Sequence, residues 1–367
     1  NLSLKNYIRD MISNVREKFE WNNFRINNYH SFFTAESNNY NIPIKSLADW
    51  QNVEHFKSIE NINKYDTILI DEVQDFKEEW LRIIINYFLG ENGELVVFGD
   101  EKQNIYTRKM GDDKKPVIPK VPGAWNQSLN QVYRFSGDLL QLMIAFQEDI
   151  LALKYDIDQV EALQEDIPFD QTVIEYHQVD HINPKLVSNV IRETIEKNSL
   201  TSSDICVLST KVETLRDIDY QFRKDIGEKT TTTFETEETV RFLLKQKKHN
   251  IDNIENIDNE DEIIESRISG IKNNIKSIRR HKKYHFHMKT GFVKMSTIHS
   301  FKGWDIPILF LIIDDETELE KAELIYTGIT RARYRLYIIN SINNPYHQCF
   351  FKNIRAKHEH YSSLRRI

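Results

Sequence analysis

The sequence is poor in cysteine, in long apolar runs and in excess positive charge. Its two cysteines, Cys206 and Cys349, form no spaced motif, which favours the reduced thiols of a cytoplasmic protein over a disulfide framework. No apolar run approaches the ~18 residues of a membrane-spanning helix, and no signal peptide is recognisable, so we expect no membrane contact. Because the formal net charge is −7, any binding of nucleic acid must be local, in a groove lined by Lys and Arg.

The sequence also lacks a phosphate-binding P-loop, which would read Gly, four residues, then Gly-Lys-Thr or Gly-Lys-Ser. The string Gly227-Glu228-Lys229-Thr230 comes closest, but it has no upstream glycine in the required place and follows no buried strand. The chain opens directly into a helix pattern without an initiator Met. We therefore expect a further N-terminal segment before Asn1.

In the most informative stretch of the sequence, two apolar runs are each followed directly by acidic residues. Residues 67–70 are apolar and end in Asp71 and Glu72, and residues 95–98 end in Gly99 and Asp100 about one helix later. This pattern predicts two buried parallel strands joined by a crossover helix. Ligands of open α/β sheets bind at the carboxyl ends of the strands, where paired acids suit a hydrated Mg²⁺ that carries nucleotide phosphates. Helix capping is the alternative use of such acids, and the second strand argues against it.

Further side chains suited to phosphate chemistry lie downstream. Gln103 follows the second strand, where its amide could contact both a terminal phosphate and an attacking water. Arg134, Arg331 and Arg333 could supply the planar, bidentate charge that a phosphoryl transition state requires. We expect Arg134 at the start of a second lobe and the other two at the end of its last helix, so that closure of a cleft would complete the site.

The turn at residues 296–303 carries hydroxyls, a histidine and a glycine at the end of a predicted strand. Such a turn offers backbone N–H groups and small donors to phosphates, either of a nucleotide or of a nucleic-acid backbone. A simple capping turn is the alternative.

At 367 residues the chain is long enough for two domains. Alternating strands and helices predict an α/β fold with two doubly wound parallel-sheet lobes, at residues 1–127 and 128–349, followed by a C-terminal tail at 350–367. Residues 235–283 show isoleucines at helical spacing and predict a helical insertion. Either a solvent-facing bundled arm or a nucleic-acid contact would explain this insertion.

Local patterns predict several further elements. Apolar residues from Leu4 to Phe19 recur at helical spacing, and residues 24–26 resemble a short strand. A hairpin is expected after Tyr284, before a strand at 293–298, and a helix at 322–333 is expected before the last strand.

In chain order, five segments resemble motifs II to VI of UvrD/Rep/PcrA-like superfamily 1 helicases. They are Asp71-Glu72-Val73-Gln74-Asp75, residues 99–106, Val132-Tyr133-Arg134, residues 297–303 and residues 326–333. Residues 28–32 resemble the short preceding motif that meets single-stranded DNA. The resemblance implies two RecA-like lobes of the P-loop NTPase type, with ATP and Mg²⁺ between them and single-stranded DNA across their tops.

The resemblance also implies roles on the nucleotide side. Asp71 and Glu72 would hold Mg²⁺, Glu72 would be the catalytic base, and Gln103 would sense the γ-phosphate. Arg134 and Arg331 would be the arginine fingers. Gly303 and Asp305 would lie at the nucleotide, with Asp305 near the ribose, where the family usually has Glu.

On the nucleic-acid side, the resemblance places four residues toward the strand: His30, Tyr106, Thr297 and His299. Two departures stand out. The family's aromatic base-stacker shortly after motif III is not present, since Thr107-Arg108-Lys109 follow Tyr106, and Trp304 stands where Leu is usual. Stacking of bases would have to come from elsewhere.

The sequence therefore predicts an ATP-dependent DNA helicase or translocase. The family's accessory insertions are reduced to residues 35–63 and 235–283, so translocation is better supported than duplex unwinding by this chain alone. A nucleic-acid-binding or scaffold subunit with an incomplete nucleotide site is the main alternative, and an ATPase switch without translocation is another. RNA in place of DNA stays open, as does a nuclease or another partner protein of a repair or phage-defence system.

Overall fold

A computed structural model describes residues 2–112, 117, 129, 131–132, 137–162, 172–227, 229–251, 260–288, 290–357 and 365–366. The strands in these residues are β1 Tyr65–Ile70, β2 Leu89–Val97, β3 Gln131–Val132, β4 Glu161–Ala162, β5 Val173–Val179, β6 Ile205–Ser209, β7 Thr230–Thr232, β8 Val293–Thr297, β9 Ile306–Ile313, β10 Ala332–Ser341 and β11 Arg365–Arg366. The helices are α1 Leu2–Ser13, α2 Tyr29–Asn39, α3 Glu78–Ile83, α4 Gly137–Phe146, α5 Pro184–Lys197, α6 Val212–Ile226, α7 Glu237–Ile251, α8 Glu260–Tyr284, α9 Ile298–Phe301, α10 Ala322–Ile329 and α11 His347–Lys357.

The larger sheet is parallel throughout its described strands, in the order β11-β5-β10-β9-β6-β8-β7. Its central strand β9 is almost continuously apolar because both of its faces are covered, as is typical of parallel sheets. Leu309 and Leu311 pack in one core cluster with α4, α10 and α11. Ile308 and Phe310 pack in the other with α5 and α6. The predicted α/β class with doubly wound parallel strands is confirmed.

The smaller sheet consists of β1 and β2, which pair in parallel with Ile68 opposite Leu95 and Ile70 opposite Val97. The prediction of parallel strands joined by a helix is therefore correct. The prediction that both strands are buried is wrong, because α2 and α3 cover one face only. Ile70 is 4% exposed on that face, whereas Leu69 on the other face is 67% exposed.

Two N-terminal predictions are also wrong. The first helix ends at Ser13, and Phe19 instead packs edge-on against Trp21 and Phe24, with ring centroids 5.1 and 5.3 Å away. The segment expected to be a strand at 24–26 is a connection to α2. Asn28 caps that helix, because its side chain accepts a hydrogen bond from the backbone N of Ser31 at 3.0 Å.

Two boundaries in the second half differ from the prediction. The described residues between Tyr284 and β8 form turns and bends and no hairpin strand, and β8 pairs in parallel with β6 and β7. Helix α10 ends at Ile329, since β10 already begins at Ala332. Arg331 therefore lies in the turn between helix and strand, and Arg333 lies within β10.

The predicted helical character of the insertion is confirmed by α7 and α8. Glu235 is buried at its base, where Arg279 Nε donates to it at 2.5 Å and Arg216 Nη1 at 3.2 Å. Burial alone would raise the pKa of Glu235, but these guanidinium groups hold it below its ordinary value. In the described part of the chain, no helix is both long and apolar enough to cross a membrane.

Trp304 anchors the turn between α9 and β9. Its side chain is fully buried, and its ring lies 5.1 Å from that of Tyr7, 5.6 Å from Phe286 and 5.9 Å from Phe301. This tryptophan therefore joins helix α1 to the larger sheet.

We expect Trp304→Ala to lower the free energy of unfolding by about 3–5 kcal/mol, because the truncation leaves a cavity in a closely packed core. Urea denaturation measures the loss. The matched control is Phe242→Ala, at a side chain that is 58% exposed, where the change should stay within about 0.5 kcal/mol. Equal losses in the two variants would contradict the assignment of Trp304 to the core.

Candidate nucleotide and nucleic-acid site

The two acids after β1 lie in a tight turn. Glu72 has a left-handed backbone with φ of 55°, which is uncommon for a residue other than glycine and costs about 1 kcal/mol. The turn lets Val73 N donate to Phe98 O at 2.8 Å, while Phe98 N donates to Ile70 O at 2.8 Å. The pairing of β1 with β2 therefore continues past the strand ends and places Asp71 and Glu72 at the edge of the sheet.

The loop after β2 is organised by Asp100, whose carboxylate accepts hydrogen bonds from Lys102 N at 3.0 Å and from Gln103 Nε2 at 2.8 Å. Burial raises the pKa of Asp100 to about 6, although the hydrogen bond from Gln103 favours the ionised form. Because its nitrogen is engaged in this way, the amide of Gln103 presents its oxygen to the second lobe.

Arg331 meets that oxygen. Its Nη2 donates to Gln103 Oε1 at 2.8 Å, and the side chain is 2% exposed. Its remaining N–H groups donate to Thr330 Oγ1, Thr327 O and Trp304 O. The guanidinium is thus held in a fixed orientation. The structure brings the predicted phosphate sensor and one predicted arginine finger into direct contact.

Lys302 forms a second contact between the lobes. Its ammonium is 2.7 Å from Asp75 Oδ1 and 3.4 Å from Glu72 Oε2, and it donates to Gln103 O at 2.7 Å. The side chain is 3% exposed. Burial raises the pKa of Asp75, while the charge of Lys302 opposes that rise. Glu72 also accepts a hydrogen bond from Gln74 Nε2 at 2.6 Å, so its carboxylate is held from two sides.

Asp305, expected near a ribose, forms an ion pair. Arg333 Nη2 lies 2.5 Å from Asp305 Oδ1, and Tyr7 OH donates to the same oxygen at 2.8 Å. The preceding Gly303 has a φ of 87°, and a Cβ there would come within 2.6 Å of the Leu4 side chain. Helix α1 therefore packs directly on this turn. The structure places Arg333 beside Asp305 rather than beside the acids of the first lobe.

A cleft of about 660 Å³ lies between these parts. Its polar lining includes Gln103, Asp305 and Arg333, and its apolar lining includes Leu140 and Met143 of α4. Arg331 is not among the lining residues, but it donates to Gln103, which is. Arg134, the other predicted arginine finger, lies outside the described residues.

Sequence reasoning missed a buried network along this cleft. Lys102, which is 2% exposed, donates to Asp158 Oδ1 at 2.7 Å, and Gln147 bridges Asp158 and Tyr326 at 2.7 and 2.9 Å. Lys102 and Tyr326 lie in segments that resemble motifs, but no local pattern shows that they meet Gln147 and Asp158, which come from another part of the chain. Lys302 was also missed, although it belongs to a segment that carries a motif.

Asp71 and Glu72 fit the coordination habits of Mg²⁺, which commonly uses one or two carboxylates and completes its shell with water and phosphate oxygens. Among the described residues, no group of three or more His, Cys, Asp or Glu side chains is arranged to hold a metal ion by itself. Two carboxylates suit an ion whose remaining ligands are water and phosphate oxygens.

The residues predicted to face nucleic acid occupy different positions. Tyr106 is 45% exposed, and its ring lies 6.1 Å from that of His299, across the junction of the lobes. Burial lowers the pKa of His299. His30 is exposed beside Trp50. Thr297 is buried and caps α9 through a hydrogen bond from Ser300 N at 3.4 Å, so it has a structural role in addition to the predicted one.

The two parallel-sheet lobes meet here through acids of one and basic side chains of the other, an arrangement that is consistent with RecA-like lobes. Two family models match the chain within these lobes. Residues 23–114 match the UvrD/REP helicase N-terminal domain, and residues 292–339 match the UvrD-like helicase C-terminal domain. The predicted resemblance to UvrD-like helicases of superfamily 1 is confirmed over these two segments.

Curated relatives support the same family. The chain is 38% identical over 65 residues to the ATP-dependent DNA helicase UvrD1 of Mycobacterium bovis and of Mycobacterium tuberculosis, a match that covers 14% of this chain and 8% of each relative. Among solved structures, the C-terminal domain of a possible DNA helicase from Lactobacillus plantarum aligns with a TM-score of 0.33 and 9% identity, over 63% of this chain and 98% of that one.

We expect Lys302→Met to lower the free energy of unfolding by about 3 kcal/mol, because it leaves the carboxylate of Asp75 in a largely buried place without its cation. In the double variant Lys302→Met/Asp75→Asn the carboxylate of Asp75 is removed together with its cation, and most of the loss should be recovered. Urea denaturation of both single variants and the double variant gives the coupling energy. Lys57→Met, at an exposed lysine, is the control. Strictly additive losses would show that the two side chains do not interact.

Stability should also depend on Asp100 in mildly acidic solution. The folded protein keeps a proton on this carboxyl up to about pH 6, whereas an unfolded Asp releases it near pH ~4. Between these values the folded state binds more protons, so this group makes stability fall as pH rises. Asp100→Asn should remove that contribution. Denaturation of both proteins across this range measures the difference, and exposed Asp10→Asn serves as control. A constant difference between wild type and Asp100→Asn would refute the shifted pKa.

Proposed function

We propose that the chain forms most of an ATP-dependent DNA helicase or translocase of the UvrD type, which couples hydrolysis of Mg-ATP between its lobes to movement on single-stranded DNA. The observation that carries this proposal is the buried hydrogen bond from Arg331 to Gln103, which joins the two lobes. A planar cation from one lobe already faces an amide of the other, at the place where a terminal phosphate would be recognised. The same geometry would also accept RNA in place of single-stranded DNA.

In the proposed reaction, Gln103 and Glu72 position the attacking water and Glu72 accepts its proton. Arg331 stabilises the charge that spreads over the equatorial oxygens of the transferred phosphoryl group. Asp71 and Glu72 would hold Mg²⁺, which neutralises phosphate charge when it is bound. For this chemistry Glu72 must leave the ammonium of Lys302 and Gln103 must share Arg331 with the phosphate. Nucleotide binding would therefore rearrange both contacts between the lobes.

Movement would follow from that rearrangement. We assign residues 1–127 and 128–349 to the two lobes, with residues 350–367 as a C-terminal extension. Closure on ATP and reopening after hydrolysis would shift one lobe against the other along the strand. The proposal places the protein in the cytoplasm, in a repair or phage-defence system that can include a nuclease.

The second candidate function is a nucleic-acid-binding or scaffold subunit with an incomplete nucleotide site. The observation that favours it is the ammonium of Lys302, which occupies the side of Glu72 that the proposed reaction needs free. The contact of Lys302 with Glu72 would then be permanent.

Steady-state ATP hydrolysis by the full-length protein, with and without single-stranded DNA, separates the two candidates. We expect strong stimulation by DNA, and we expect Glu72→Gln to lower the DNA-stimulated rate by roughly 100-fold or more, because the proton acceptor is lost. Glu94→Gln, at an exposed acid on the neighbouring strand β2, should behave like wild type. If the protein binds DNA but hydrolyses no ATP, the helicase proposal fails and the scaffold function takes its place.

A further inference from the structure

Four side chains from both lobes form one connected polar network beside the cleft. Lys102 Nζ donates to Asp158 Oδ1 at 2.7 Å, and Gln147 Nε2 donates to the other oxygen of the same carboxylate at 2.7 Å. The same nitrogen of Gln147 also donates to Tyr326 OH at 2.9 Å. We call this set the Lys102 network: Lys102, Asp158, Gln147 and Tyr326.

The part of the Lys102 network in the second lobe is held rigidly. Gln147 is buried and contacts residue 158 twice, because its Nε2 donates to the carboxylate of Asp158 and its Oε1 accepts from Asp158 N at 2.9 Å. Tyr326 is also buried, and its ring stacks on that of Phe146 with centroids 6.3 Å apart. Asp158 therefore presents its carboxylate to Lys102 from a fixed position.

The ammonium of Lys102 depends on that carboxylate. The side chain is almost completely buried, and burial alone would lower its pKa. The hydrogen bond to Asp158 and the charges of the surrounding acids instead raise the pKa of Lys102 above its ordinary value. Glu101 adds an acceptor at 3.2 Å. Because a buried charge is strongly unfavourable away from its partners, the ion pair fixes the position of residue 102.

This fixed lysine lies in the short 3-10 turn Glu101–Gln103, directly before the predicted phosphate sensor. Lys102 N donates to Asp100 Oδ1 at 3.0 Å, and Gln103 Nε2 donates to Asp100 Oδ2 at 2.8 Å. Asp100 thus holds the turn from within the first lobe, while Asp158 holds it from the second. The position of Gln103 depends on both contacts.

The other end of the Lys102 network reaches the helix that precedes Arg331. Tyr326 lies on α10, and the backbone oxygen of the next residue, Thr327, accepts a hydrogen bond from Arg331 Nε at 3.0 Å. Helix α10 also lies against the turn Glu101–Gln103. The network is therefore connected to both partners of the hydrogen bond that Arg331 Nη2 donates to Gln103 Oε1 at 2.8 Å.

We propose that Lys102 is a positioning residue for the phosphate sensor, because its ion pair with Asp158 fixes the turn that carries Gln103 in register with Arg331. The role of Gln103 in hydrolysis rests on the proposed function. The positioning is a separate claim, since it concerns the protein without nucleotide. Lys102 and Asp158 contact no reacting group in this proposal and act through Gln103.

Hydrogen–deuterium exchange of the nucleotide-free full-length protein tests the positioning. The backbone N–H groups of Gln103 and Asn104 donate within the turn at 3.0 and 3.2 Å. We expect Lys102→Met to speed their exchange by roughly fivefold or more, while the amides of core strand β6 keep their rates. Asp158→Asn should act in the same way. Lys352→Met, which removes another lysine–aspartate pair of the second lobe, is the matched control and should leave the turn unchanged.

Steady-state ATP hydrolysis with single-stranded DNA separates positioning from general stabilisation. We expect Lys102→Met to lower kcat roughly tenfold, and we expect no further loss when it is added to Gln103→Ala, because the lysine acts only through Gln103. A residue that merely stabilised the fold would lower kcat by the same factor in both backgrounds.

Three results would overturn the proposal: wild-type exchange of the turn in both Lys102→Met and Asp158→Asn, faster exchange throughout the protein, or equal kcat losses with and without Gln103. If wild type hydrolyses no ATP, the proposed function fails, while the exchange experiment still decides whether Lys102 fixes the turn. Should Lys102→Met not fold, Asp158→Asn decides through the same two measurements.

Discussion

A buried ion pair between Lys302 and Asp75 is the interaction on which the site depends. An ammonium at 3% exposure is unfavourable unless a counter-charge and hydrogen-bond acceptors surround it. Asp75 supplies the charge and Gln103 a backbone oxygen. Because both acceptors belong to the first lobe and the lysine to the second, the lobes must meet in one register, and that register also aligns Arg331 with Gln103.

Asp75 connects Lys302 of the candidate nucleotide site with Arg108, which packs against the rings of Trp80 and Tyr106. Its carboxylate accepts from Lys302, and its backbone oxygen accepts from Arg108. Any change in the contact of Lys302 with Glu72 would therefore change the charge around Asp75, whose backbone oxygen holds Arg108. Coupling through a single residue with two partners is physically simple, since no long pathway is needed.

The parts that the sequence predicts well are those decided by local chemistry. Helix α5 begins at Pro184, directly after Asn183, whose side chain caps the helix. Strand β9 is a continuous apolar run, as expected of a parallel strand that is covered on both faces. The errors lie where tertiary packing decides. Helical spacing continues through Arg331, yet α10 stops at Ile329 because β10 must begin at Ala332 to pair with Ile306. The one-sided burial of β1 is likewise a property of its neighbours.

The candidate site shows the same division. Motif spacing locates Asp71, Glu72 and Gln103 at one sheet edge, since parallel strands deliver their carboxyl ends together. It cannot show that Lys302 neutralises one of the neighbouring acids, because that pairing joins residues 227 positions apart. Arg108 is a second example. In the sequence, it lies where the family resemblance predicts an aromatic ring and none is present. In the fold, the rings of Trp80 and Tyr106 pack against its guanidinium, a contact that no local pattern in the sequence reveals.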